Sequence, residues 1–600
     1  MTRNVYFTLS ILLLIHIANA QDQQRREDFD PPFLKLKNGG VAYIHTLLEM
    51  GERQTQTVSQ APFASSQHPL FLRKLNTLNG LNAEVSIATN PNNANNLVAA
   101  WMRMNSAERT RSLAYAYTFD GGATWSENII AATGQFSTFD ENDPVVIGCA
   151  NNVFHVEYLG VKGQLQGSAM LVASSTDGGV TFGKQSLIVA DSSASPLTGT
   201  MNDKNWIAVD QTTSPFQDNL YTVWLRVDQA QSQQGIVLSR GSKDGSTWTA
   251  PLIVNDTTRW TSGGNIQTVV QGANIAVGTE GEVFVTWLQF SYAFAIGTKT
   301  ISYLRFDKSL DGGVTFAKDK LIVPHLGVWE RLNPQSLYQR MNGFPSIAVD
   351  HSQGKYRGRI YICYSAMDYG DADVFLVYSD DKGETWSLPL RVNDDPVKNG
   401  AQQFFGAVSV SSQGVVSIPY YDTRANRTMI DCYFAESHNG GLHFITNKIS
   451  EQSFQPVSSG FFGDYISNVS SGMSSFPVWS LMKDNSNTDI LTTTRAIPLS
   501  AKQDRILLPN DVQLLSVAPN PVTSGVVSHM VVKFKLRSDS ELQLQIVDVM
   551  GREVMQWQRT DVPEGMNEWK IPTTKLHSGI YRLLLRSKNA QSGMKFLVIK

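Results

Sequence analysis

Ionisable side chains that could do chemistry recur at the ends of short apolar runs in this chain. Before one set of runs stand Glu84, Asp143, Asp203, Lys204 and Asp464, and after a second set stand Arg103, Tyr158, Arg226, Asp368 and the segment 421–424, Tyr-Asp-Thr-Arg. An arginine guanidinium can hold a carboxylate through two parallel hydrogen bonds, and a carboxyl group can donate or accept a proton. A binding or catalytic site is therefore expected wherever the fold gathers the ends of these runs.

The runs themselves predict β-strands in repeating groups of four. First strands are predicted at 84–88, 143–147, 206–210, 273–277, 345–349 and 407–410, and second strands at 97–101, 153–157, 220–224, 283–287, 360–364 and 415–419. Four strands per unit, repeated around a ring, are typical of the blades of a β-propeller. In such a ring the first strands line a central channel, so their starts and the ends of the second strands meet at one mouth.

The number of blades depends on how the ring closes. A seventh unit spans about 463–494 but has only three predicted strands. A ring closes best when one blade combines both ends of the domain, because this removes free sheet edges. The segment 70–75, Leu-Phe-Leu-Arg-Lys-Leu, can supply the fourth strand. We therefore predict seven blades, with six as the alternative.

A short phrase occurs six times between Thr118 and Phe444, and it opens with Ser or Thr and closes with Trp or Phe. Its third position holds Asp120, Asp177, Asp244, Asp311, Asp381 and Asn439, at intervals of 57, 67, 67, 70 and 58 residues. Such a repeat predicts an array of similar units. Asp can accept hydrogen bonds from the N–H groups ahead of it, and the glycines that follow allow positive φ. A structural role in tight hairpins is predicted for these residues.

The phrase resembles the Asp-box, or BNR, repeat of sialidase-like β-propellers. Sialidases bind a sugar carboxylate with three arginines, and they use a tyrosine nucleophile assisted by a glutamate, with an aspartate as acid/base. Carried onto this chain, the resemblance implies substrate binding by Arg103, Arg226 and Arg424. It also implies catalytic roles for four residues: Tyr421 as nucleophile, Glu157 as its partner, and Asp203 or Asp143 as acid/base.

One part of the sialidase pattern is missing. Sialidases carry an Arg-Ile-Pro-type motif before the first box, and the nearest phrase here, Met-Asn-Gly-Phe-Pro at 341–345, has no arginine in that place. The phrases at 203–206, Asp-Lys-Asn-Trp, and at 462–465, Phe-Gly-Asp-Tyr, resemble those of sialidase-like BNR proteins whose substrates are unclear. The site could therefore bind a ligand without hydrolysing it.

The N-terminus has the features of a secretory signal. Arg3 precedes a mostly apolar run that ends before Ala-Asn-Ala at 18–20, a small-x-small cleavage site. We predict a signal peptide over residues 1–20 and a partly flexible extension over 21–80. The propeller is expected over 81–498 and a linker over 499–511. With 50 Lys and Arg against 53 Asp and Glu, the composition gives no sign of a nucleic-acid-binding surface.

Cysteine and metal chemistry have little support in the sequence. Cys149, Cys363 and Cys432 lie in strand-like apolar runs and are expected to be buried free thiols, although a disulfide between two of them stays open. Asp368, Asp371 and Asp373 offer oxygen ligands for calcium, or they form a solvated acidic loop. No other cofactor is expected.

Residues 512–600 differ in composition from the rest and predict a small, antiparallel, Ig-like β-sandwich, so that the whole chain is expected to be all-β. Their phrases resemble the C-terminal sorting domain of type IX secretion cargo in Bacteroidota: Ala-Pro-Asn-Pro at 518–521, Val-Asp-Val-Met-Gly-Arg-Glu at 547–553, Gly-Ile-Tyr-Arg at 579–582 and Lys-Phe-Leu-Val-Ile-Lys at 595–600. The resemblance implies recognition by the outer-membrane secretion machinery. The mature protein would then be released or attached to the cell surface.

Two functions fit these observations. The first is a secreted, sialidase-like glycoside hydrolase, expected to be a monomer, that acts on extracellular glycans or glycoproteins. The second is a non-catalytic propeller that binds glycans or proteins as an adhesin or receptor, which the missing arginine motif favours. Fold alone does not decide between them.

Overall fold

A computed structural model describes residues 72–105, 110–131, 139–162, 167–192, 200–228, 233–256, 268–296, 299–328, 341–456, 461–472, 474–496, 512–518, 522–523, 529–536, 540–548, 553–574, 576–577, 579–586 and 591–599. The chain divides into two compact units, Met1–Ile497 and Pro498–Lys600. The predicted signal peptide, nearly all of the N-terminal extension and the predicted linker lie outside the described residues. Within those residues, no helix is long and apolar enough to cross a membrane.

The described part of the first unit forms seven sheets, which we number as blades 1–7 in chain order. Blade 1 contains β2 (Leu81–Asn90), β3 (Asn93–Asn105), β4 (Thr110–Thr118) and β5 (Ser126–Ile130). Blade 2 contains β6 (Phe139–Gly148), β7 (Phe154–Lys162), β8 (Gly167–Ser175) and β9 (Lys184–Ser192). Blade 3 contains β10 (Thr200–Val209), β11 (Leu220–Asp228), β12 (Gln233–Gly241) and β13 (Leu252–Ile253). Blade 4 contains β14 (Thr268–Val277), β15 (Val283–Ile296), β16 (Lys299–Ser309) and β17 (Lys320–Leu326). Blade 5 contains β18 (Ser346–Val349), β19 (Ile360–Ala366), β20 (Asp373–Ser379) and β21 (Leu390–Arg391).

Blades 6 and 7 depart slightly from this pattern. In blade 6 the innermost strand is interrupted, giving β22 (Gln403–Phe404) and β23 (Ser409–Val410) before β24 (Val416–Asp422), β25 (Asp431–Ser437) and β26 (Ile445–Lys448). Blade 7 contains β27 (Ser467–Ser471), β28 (Ser474–Met482), β29 (Thr488–Thr493), the short β30 (Arg495–Ala496) and, from the other end of the domain, β1 (Leu72–Lys74).

The ring closes through the segment that the sequence singled out. β1 pairs antiparallel with β29, with Leu72 opposite Thr493. Each innermost strand contacts the innermost strand of the next blade, and β27 contacts β2. The domain is thus a seven-bladed β-propeller, which confirms the predicted fold and blade number. The seven innermost strands line an axis that we call the channel.

Buried tryptophans fix where the innermost strands begin. The tryptophans at 101, 224, 287 and 479, all on second or middle strands, are fully buried. Trp101 donates its indole N–H to Asn82 Oδ1 at 3.0 Å, and Trp224 donates to Asn202 Oδ1 at 2.7 Å. Such a partner stabilises a buried indole N–H. These bonds anchor the first residues of β2 and β10, directly before the positions that carry the candidate site.

The repeated Asp phrase forms the same hydrogen bonds in blades 1, 2, 4 and 5. The Thr118 hydroxyl donates to Asp120 Oδ1 at 2.7 Å, and the Thr124 N–H and hydroxyl donate to the two oxygens of Asp120 at 2.9 and 2.6 Å. The pattern recurs around Asp177, Asp311 and Asp381. The hydrogen bonds from Thr124 and Thr118 hold the pKa of Asp120 at about 2. These hairpins are built by their own side chains.

Glycine is required in these hairpins because neighbouring blades approach them. Gly383 has φ of +81°, and a Cβ there would lie 2.2 Å from the Phe306 ring of the preceding blade. Gly179 has φ of +89°, and a Cβ there would lie 2.3 Å from the Val98 side chain. The hairpins therefore also join adjacent blades.

The second unit is a β-sandwich. One sheet joins β31 (Val512–Ala518), β33 (His529–Leu536) and β36 (Gly565–Pro572). The other joins β32 (Val522–Thr523), β34 (Ser540–Asp548), β35 (Glu553–Val562), β37 (Gly579–Arg586) and β38 (Gln591–Ile599). Side chains of both sheets, including Phe534, Trp569, Leu544 and Leu583, share one hydrophobic core.

Candidate functional site

The innermost strands of blades 1–4 carry a β-bulge at the same place. The register with the second strand shifts between Ala83 and Ser86, Asn142 and Val145, Asp203 and Trp206, and Gln271 and Asn274. A bulge re-aims the side chain that it contains. Here the bulge takes one residue of each blade out of the regular in–out alternation of side chains. It lies near the start of the innermost strand, where the sequence has its ionisable residues.

The bulged residues have left-handed backbones. Glu84, Asp143 and Lys204 have φ of 58°, 49° and 51°, and the equivalent residue of blade 4 is Gly272, with φ of 69°. Left-handed conformations cost non-glycine residues about 1 kcal/mol or more. Only blade 4 of these four uses the residue that suits the geometry. Three charged residues in strained positions mark this end of the channel as the candidate site.

The three bulges bring their side chains together with Asp464. The Asp143 N–H donates to Glu84 Oε2 at 3.3 Å, and the Glu84 and Asp143 carboxyl groups share a hydrogen bond. Lys204 and Asp464 act electrostatically on the same pair. Relative exposures are 3% for Glu84, 7% for Asp143, 5% for Lys204 and 8% for Asp464. We call these four residues the charged ring.

Two aromatic side chains lie against the charged ring from opposite sides of the channel. Trp206 is on β10 of blade 3 and Tyr465 precedes β27 of blade 7, and their rings meet edge to face at 5.4 Å. The Lys204 ammonium lies 4.5 Å from the Trp206 ring centroid and 4.2 Å from that of Tyr465. The Tyr465 hydroxyl donates to the Pro144 carbonyl at 3.0 Å. The channel is thus crossed here by an aromatic pair.

The charged ring has unusual proton affinities. Burial, followed by the neighbouring Asp143 and Asp464 charges, raises the pKa of Glu84 well above its ordinary value, and Lys204 offsets only part of this. Burial lowers the pKa of Lys204, against the opposing effect of the carboxylates. Two hydrogen-bonded carboxyls in a poorly solvated place hold one proton between them more tightly than either would alone. Burial and the neighbouring carboxylates therefore favour the protonated form of Glu84.

Side-chain hydrogen bonds from several blades hold the segments around the charged ring in place. Gln271 Nε2 donates to Asp203 Oδ2 at 2.9 Å, and Asn342 Nδ2 donates to the Asp464 carbonyl at 2.9 Å. Arg111 donates to Asn142 Oδ1 at 2.9 Å, directly before Asp143. The site is consequently supported from blades 1, 2, 4, 5 and 7.

The structure brings two of the sequence-predicted catalytic residues to this place and leaves one close behind it. Asp143 is in the charged ring, and Asp203 directly precedes Lys204. Glu157 is fully buried on β7, where the Thr222 hydroxyl donates to it. Burial raises the pKa of Glu157 to about 8. It faces blade 3 behind the charged ring.

Tyr421, the predicted nucleophile, lies elsewhere. It is fully buried among the rings of Phe404, Phe405, Phe454 and Phe462. Its hydroxyl donates to the Ser480 carbonyl at 2.7 Å and accepts from the Ser480 N–H at 2.9 Å. Both hydrogen-bonding roles of the phenol are used inside the interface of blades 6 and 7. The structure does not place Tyr421 beside Glu157.

The three predicted substrate-binding arginines have separate partners. Arg103 donates to the Asn79 carbonyl at 3.0 Å, and Arg226 is paired with Asp191 at 2.8 Å. Arg424 is paired with Asp422 at 2.7 Å and with Asp394, and its guanidinium stacks 4.4 Å from the Tyr433 ring. Arg103 and Arg226 do occupy equivalent register positions, opposite Asn82 and Asn202. The three side chains do not converge on one ligand position.

The three aspartates of the loop that was considered for calcium also have different hydrogen-bond partners. Asp368 accepts from the Leu326 N–H at 2.7 Å, Asp371 from the Gly400 N–H at 2.6 Å, and Asp373 from Arg391 at 2.7 Å. In the described residues, no group of three or more His, Cys, Asp or Glu could hold a metal ion. The calcium interpretation therefore fails for this loop, and the alternative of a solvated acidic loop is wrong as well, because all three aspartates are buried. Cys149, Cys363 and Cys432 are buried and free, as predicted.

Sequence reasoning placed Glu84, Lys204 and Asp464 at the channel mouth but gave them no role, and it passed over Trp206 and Tyr465. Two signals pointed to these residues. The phrases at 203–206 and 462–465 were recognised as family-like, and both contribute a charged and an aromatic member of the site. The strained backbone at the bulges had no sequence signal, because charged residues are poor predictors of positive φ.

The geometry defines the class: a seven-bladed β-propeller with a buried charged site at one end of its channel. Residues 516–600 match the model of the secretion system C-terminal sorting domain. This match identifies a sorting tail of the type IX system, with export to the cell surface or beyond. No curated protein matches the chain.

Solved structures similar to this chain include three carbohydrate-active propellers. An α-L-arabinanase of Penicillium chrysogenum in complex with arabinobiose is 12% identical over 71% of this chain and 98% of its own, with a TM-score of 0.42. The α-L-arabinofuranosidase Arb93A of Fusarium graminearum is 13% identical over 57% and 88%, with a TM-score of 0.39. The Trypanosoma rangeli sialidase in complex with sialic acid is 10% identical over 86% and 83%, with a TM-score of 0.38.

Proposed function

We propose that the protein is an extracellular glycoside hydrolase whose acid and base are the Glu84–Asp143 carboxyl pair. The observation that carries the proposal is the pair itself. Its members come from equivalent strained bulges of adjacent blades, they are hydrogen-bonded, and their surroundings favour one bound proton. Glycosidases supply an acid and a base at one pH from two carboxyls of separated proton affinity that lie about 5 Å or more apart, so in this proposal Glu84 and Asp143 move apart as the sugar enters between them.

The two carboxyls have different roles in this reaction. Glu84, whose pKa is raised by burial and by the Asp143 and Asp464 charges, keeps its proton and donates it to the departing glycosidic oxygen. Asp143, which acts electrostatically on Lys204, is the carboxylate that stabilises the positive charge on the sugar ring and accepts a proton from the attacking water, whose oxygen forms the new bond to the sugar carbon as the glycosidic bond breaks. Asp143 then releases this proton to solvent, and Glu84 takes up a proton from solvent before the next turnover.

The surroundings of the pair favour a sugar over other substrates. Trp206 and Tyr465 present aromatic faces beside the carboxyls. Such faces pack well against the C–H side of a pyranose or furanose ring while the polar groups reach its hydroxyls. We also propose that the exported protein meets its substrate on extracellular glycans or glycoproteins. Residues 1–20 would direct it across the inner membrane, and it would act as a monomer.

The test is hydrolysis by the purified, exported protein. A panel of 4-nitrophenyl glycosides should include neutral hexosides, uronides and the α-sialoside, since the sequence resembles sialidase-like propellers. We expect turnover of at least one glycoside, and a loss of about 100-fold or more in Glu84→Gln and Asp143→Asn, which is typical of removing a general acid or base. Turnover that is insensitive to both changes would refute the assignment.

Tyr421→Phe is the matched control, because the sequence-based site and the structure-based site predict opposite results for it. If Tyr421 only packs the interface of blades 6 and 7, kcat stays unchanged while stability falls as the Ser480 hydrogen bonds are lost. If Tyr421 were the nucleophile, the phenylalanine variant would lose nearly all activity.

The second candidate, a binding propeller without turnover, is favoured by one observation. Glu84 and Asp143 are hydrogen-bonded to each other and nearly covered in the structure. A glycoside that binds with micromolar affinity and is never hydrolysed, in wild type as in Glu84→Gln, would establish this function in place of the first.

A further inference from the structure

A half-buried arginine of blade 1 is hydrogen-bonded to the segment that carries Asp143. Arg111 is the second residue of β4, the third strand of its blade, and its guanidinium donates to Asn142 Oδ1 at 2.9 Å. Asn142 directly precedes Asp143 and is only 2% exposed. Its own amide donates to the Asp140 carbonyl at 2.9 Å. Arg111 is thereby tied to the part of blade 2 that leads into the Asp143 bulge.

The charge of Arg111 also reaches the carboxyl pair. Burial lowers the pKa of Arg111, and the charges of Asp140, Glu84 and Asp143 oppose this shift. An arginine keeps its charge in proteins. A cation is therefore held in a poorly solvated place near both carboxyls, where Coulomb interactions are stronger than in water.

The equivalent position of blade 2 shows that linking adjacent blades does not require a charge. Across the strands of blade 1, Arg111 is aligned with Leu81, three residues before the bulge. Across those of blade 2, Ser168 is aligned with Asp140, again three residues before the bulge. Ser168 Oγ accepts from the Asn202 N–H at 2.9 Å and from Asn202 Nδ2 at 3.1 Å, which joins blade 2 to blade 3. A neutral hydroxyl thus makes the link there, so the charge of Arg111 has a role other than linkage.

The groups around the pair show what that charge does. Besides Arg111, the titratable groups around the pair and its cations are Lys204 and Asp203 of blade 3, Asp464 and Tyr465 before β27, Asp140 on β6 and Glu157 on β7. Burial raises the pKa of Tyr465 well above its ordinary value, so this phenol stays neutral. A cation favours the ionised form of a neighbouring carboxyl. Arg111 and Lys204 therefore act on the pair in the same direction, from different blades.

We propose that Arg111 is a positioning residue of the reaction, which fixes the Asp143 bulge through Asn142 and whose charge favours ionisation of the Glu84–Asp143 pair. This inference rests on the proposed function for the roles of the two carboxyls. Arg111 touches neither the sugar nor the attacking water in that reaction, and it acts through the base. Loss of its charge should make both carboxyls harder to ionise, because each loses a stabilising cation.

The first experiment is the pH profile of kcat/KM, which reports the ionisation of the free enzyme. It uses the full exported chain and the glycoside that the wild type hydrolyses fastest. In Arg111→Gln, both limbs of the profile should move to higher pH by about half a pH unit or more, because a cation has been removed. In Arg111→Lys, which keeps the charge, the limbs should stay close to those of the wild type. Limbs of Arg111→Gln that coincide with those of the wild type would overturn the inference.

Arg495→Gln is the matched control for the loss of an arginine between blades. Arg495 is a half-buried residue of blade 7 that is paired with Glu436 of blade 6 at 3.3 Å. We expect this variant to be less stable but to keep the limbs of the wild type. Equal shifts in Arg495→Gln and Arg111→Gln would show a general effect of packing and would overturn the inference. If Arg111→Gln does not fold, Arg111→Ser takes its place, because serine occupies the equivalent position of blade 2.

A second readout does not need turnover. Carbon-13 labels on the Asp and Glu carboxyls report their titration by NMR, and Glu84→Gln and Asp143→Asn assign the two signals. Both titrations should move to higher pH in Arg111→Gln and stay in place in Arg495→Gln. Unmoved titrations would overturn the inference whether or not the protein is an enzyme.

The outcomes separate this inference from the proposed function. Shifted titrations in a protein that hydrolyses no glycoside support the electrostatic role of Arg111 and remove the hydrolase. Hydrolysis that depends on Glu84 and Asp143, with limbs that Arg111→Gln leaves unmoved, keeps the hydrolase and removes the inference.

Discussion

The Asp-rich hairpins and the charged ring lie at opposite ends of the same blades, and they use the same backbone device differently. In blade 1, Thr118 opens the hairpin opposite Leu97, whereas the bulge at Glu84 lies near the other end of β2, beside Ala83, which is opposite Met102. Both places need left-handed residues. The hairpins meet this need with glycine everywhere except at Lys382, and three bulges meet it with Glu84, Asp143 and Lys204.

The two regions also differ in how they treat a carboxylate. In the hairpin, hydrogen bonds from Thr124 and Thr118 stabilise the ionised form and hold the pKa of Asp120 at about 2. In the ring, burial and like charges raise the pKa of Glu84. The hairpin is a self-satisfied structure repeated with nearly the same residues. In the charged ring, the same left-handed bulge recurs with a different residue in each blade, and the non-glycine residues there lower the stability of the fold. Uniform repeats thus indicate architecture, and varied residues in a strained, repeated geometry indicate function.

The largest expected effect is on activity, and it should follow a change in the charged ring. Glu84→Gln should lower kcat by about 100-fold or more because it removes the proton that leaves with the aglycone. The wild-type rate should fall as pH rises through the pKa of Glu84, since only the protonated form donates. Measurement of kcat against pH for both proteins checks this. A variant with wild-type kcat and the same alkaline limb would remove Glu84 from the mechanism.

The next largest effect is on stability, and it tests how the hairpin glycines pack against the neighbouring blade. Gly383→Ala should lower the free energy of unfolding by about 3 kcal/mol, because φ is +81° and the new Cβ would lie 2.2 Å from Phe306. Gly183→Ala is the control, since its Cβ would meet nothing within 4 Å. Urea denaturation of both proteins gives the comparison. Equal stability of the two variants would contradict the role assigned to the hairpin glycines.

A smaller effect tests the hairpin carboxylate. Asp311→Ala removes the acceptor for Ser309, Thr315 and two backbone N–H groups. We expect a loss of about 2 kcal/mol in stability, as for several exposed or half-buried hydrogen bonds lost together. The kcat of the folded variant should match wild type. A large loss of kcat at full stability would mean that the hairpins take part in chemistry.

The smallest effect tests the strain in the ring. Asp143→Gly should abolish activity, yet raise the free energy of unfolding by about 1 kcal/mol, because glycine accepts φ near 49° without cost. Thermal unfolding with a parallel rate assay measures both. A clear loss of stability would show that Asp143 is kept for folding.

Much of the fold was predictable because each cue was local. The spacing of apolar runs indicated the blades, the Asp phrases located their hairpins, and the apolar segment at 70–75 indicated the closing strand. The match over residues 516–600 confirms the sorting tail.

The site was less predictable because its geometry depends on long-range partners. The Tyr-Asp-Thr-Arg segment gives no sign that Tyr421 meets Ser480 or that Arg424 meets Asp394. The types of the residues favoured arginines and a tyrosine as the site. In the folded chain, the site instead contains Glu84, Lys204 and Asp464, which the sequence placed at the channel mouth without assigning them a role.

The most direct test of the central claim is the position of a bound sugar. A crystal structure of the Glu84→Gln variant with an uncleaved glycoside should show the sugar at the charged ring, with its glycosidic oxygen beside position 84 and Asp143 and its ring near Trp206 or Tyr465. A sugar bound instead beside Arg226 or Arg424, or at the Asp-rich hairpins, would contradict the account.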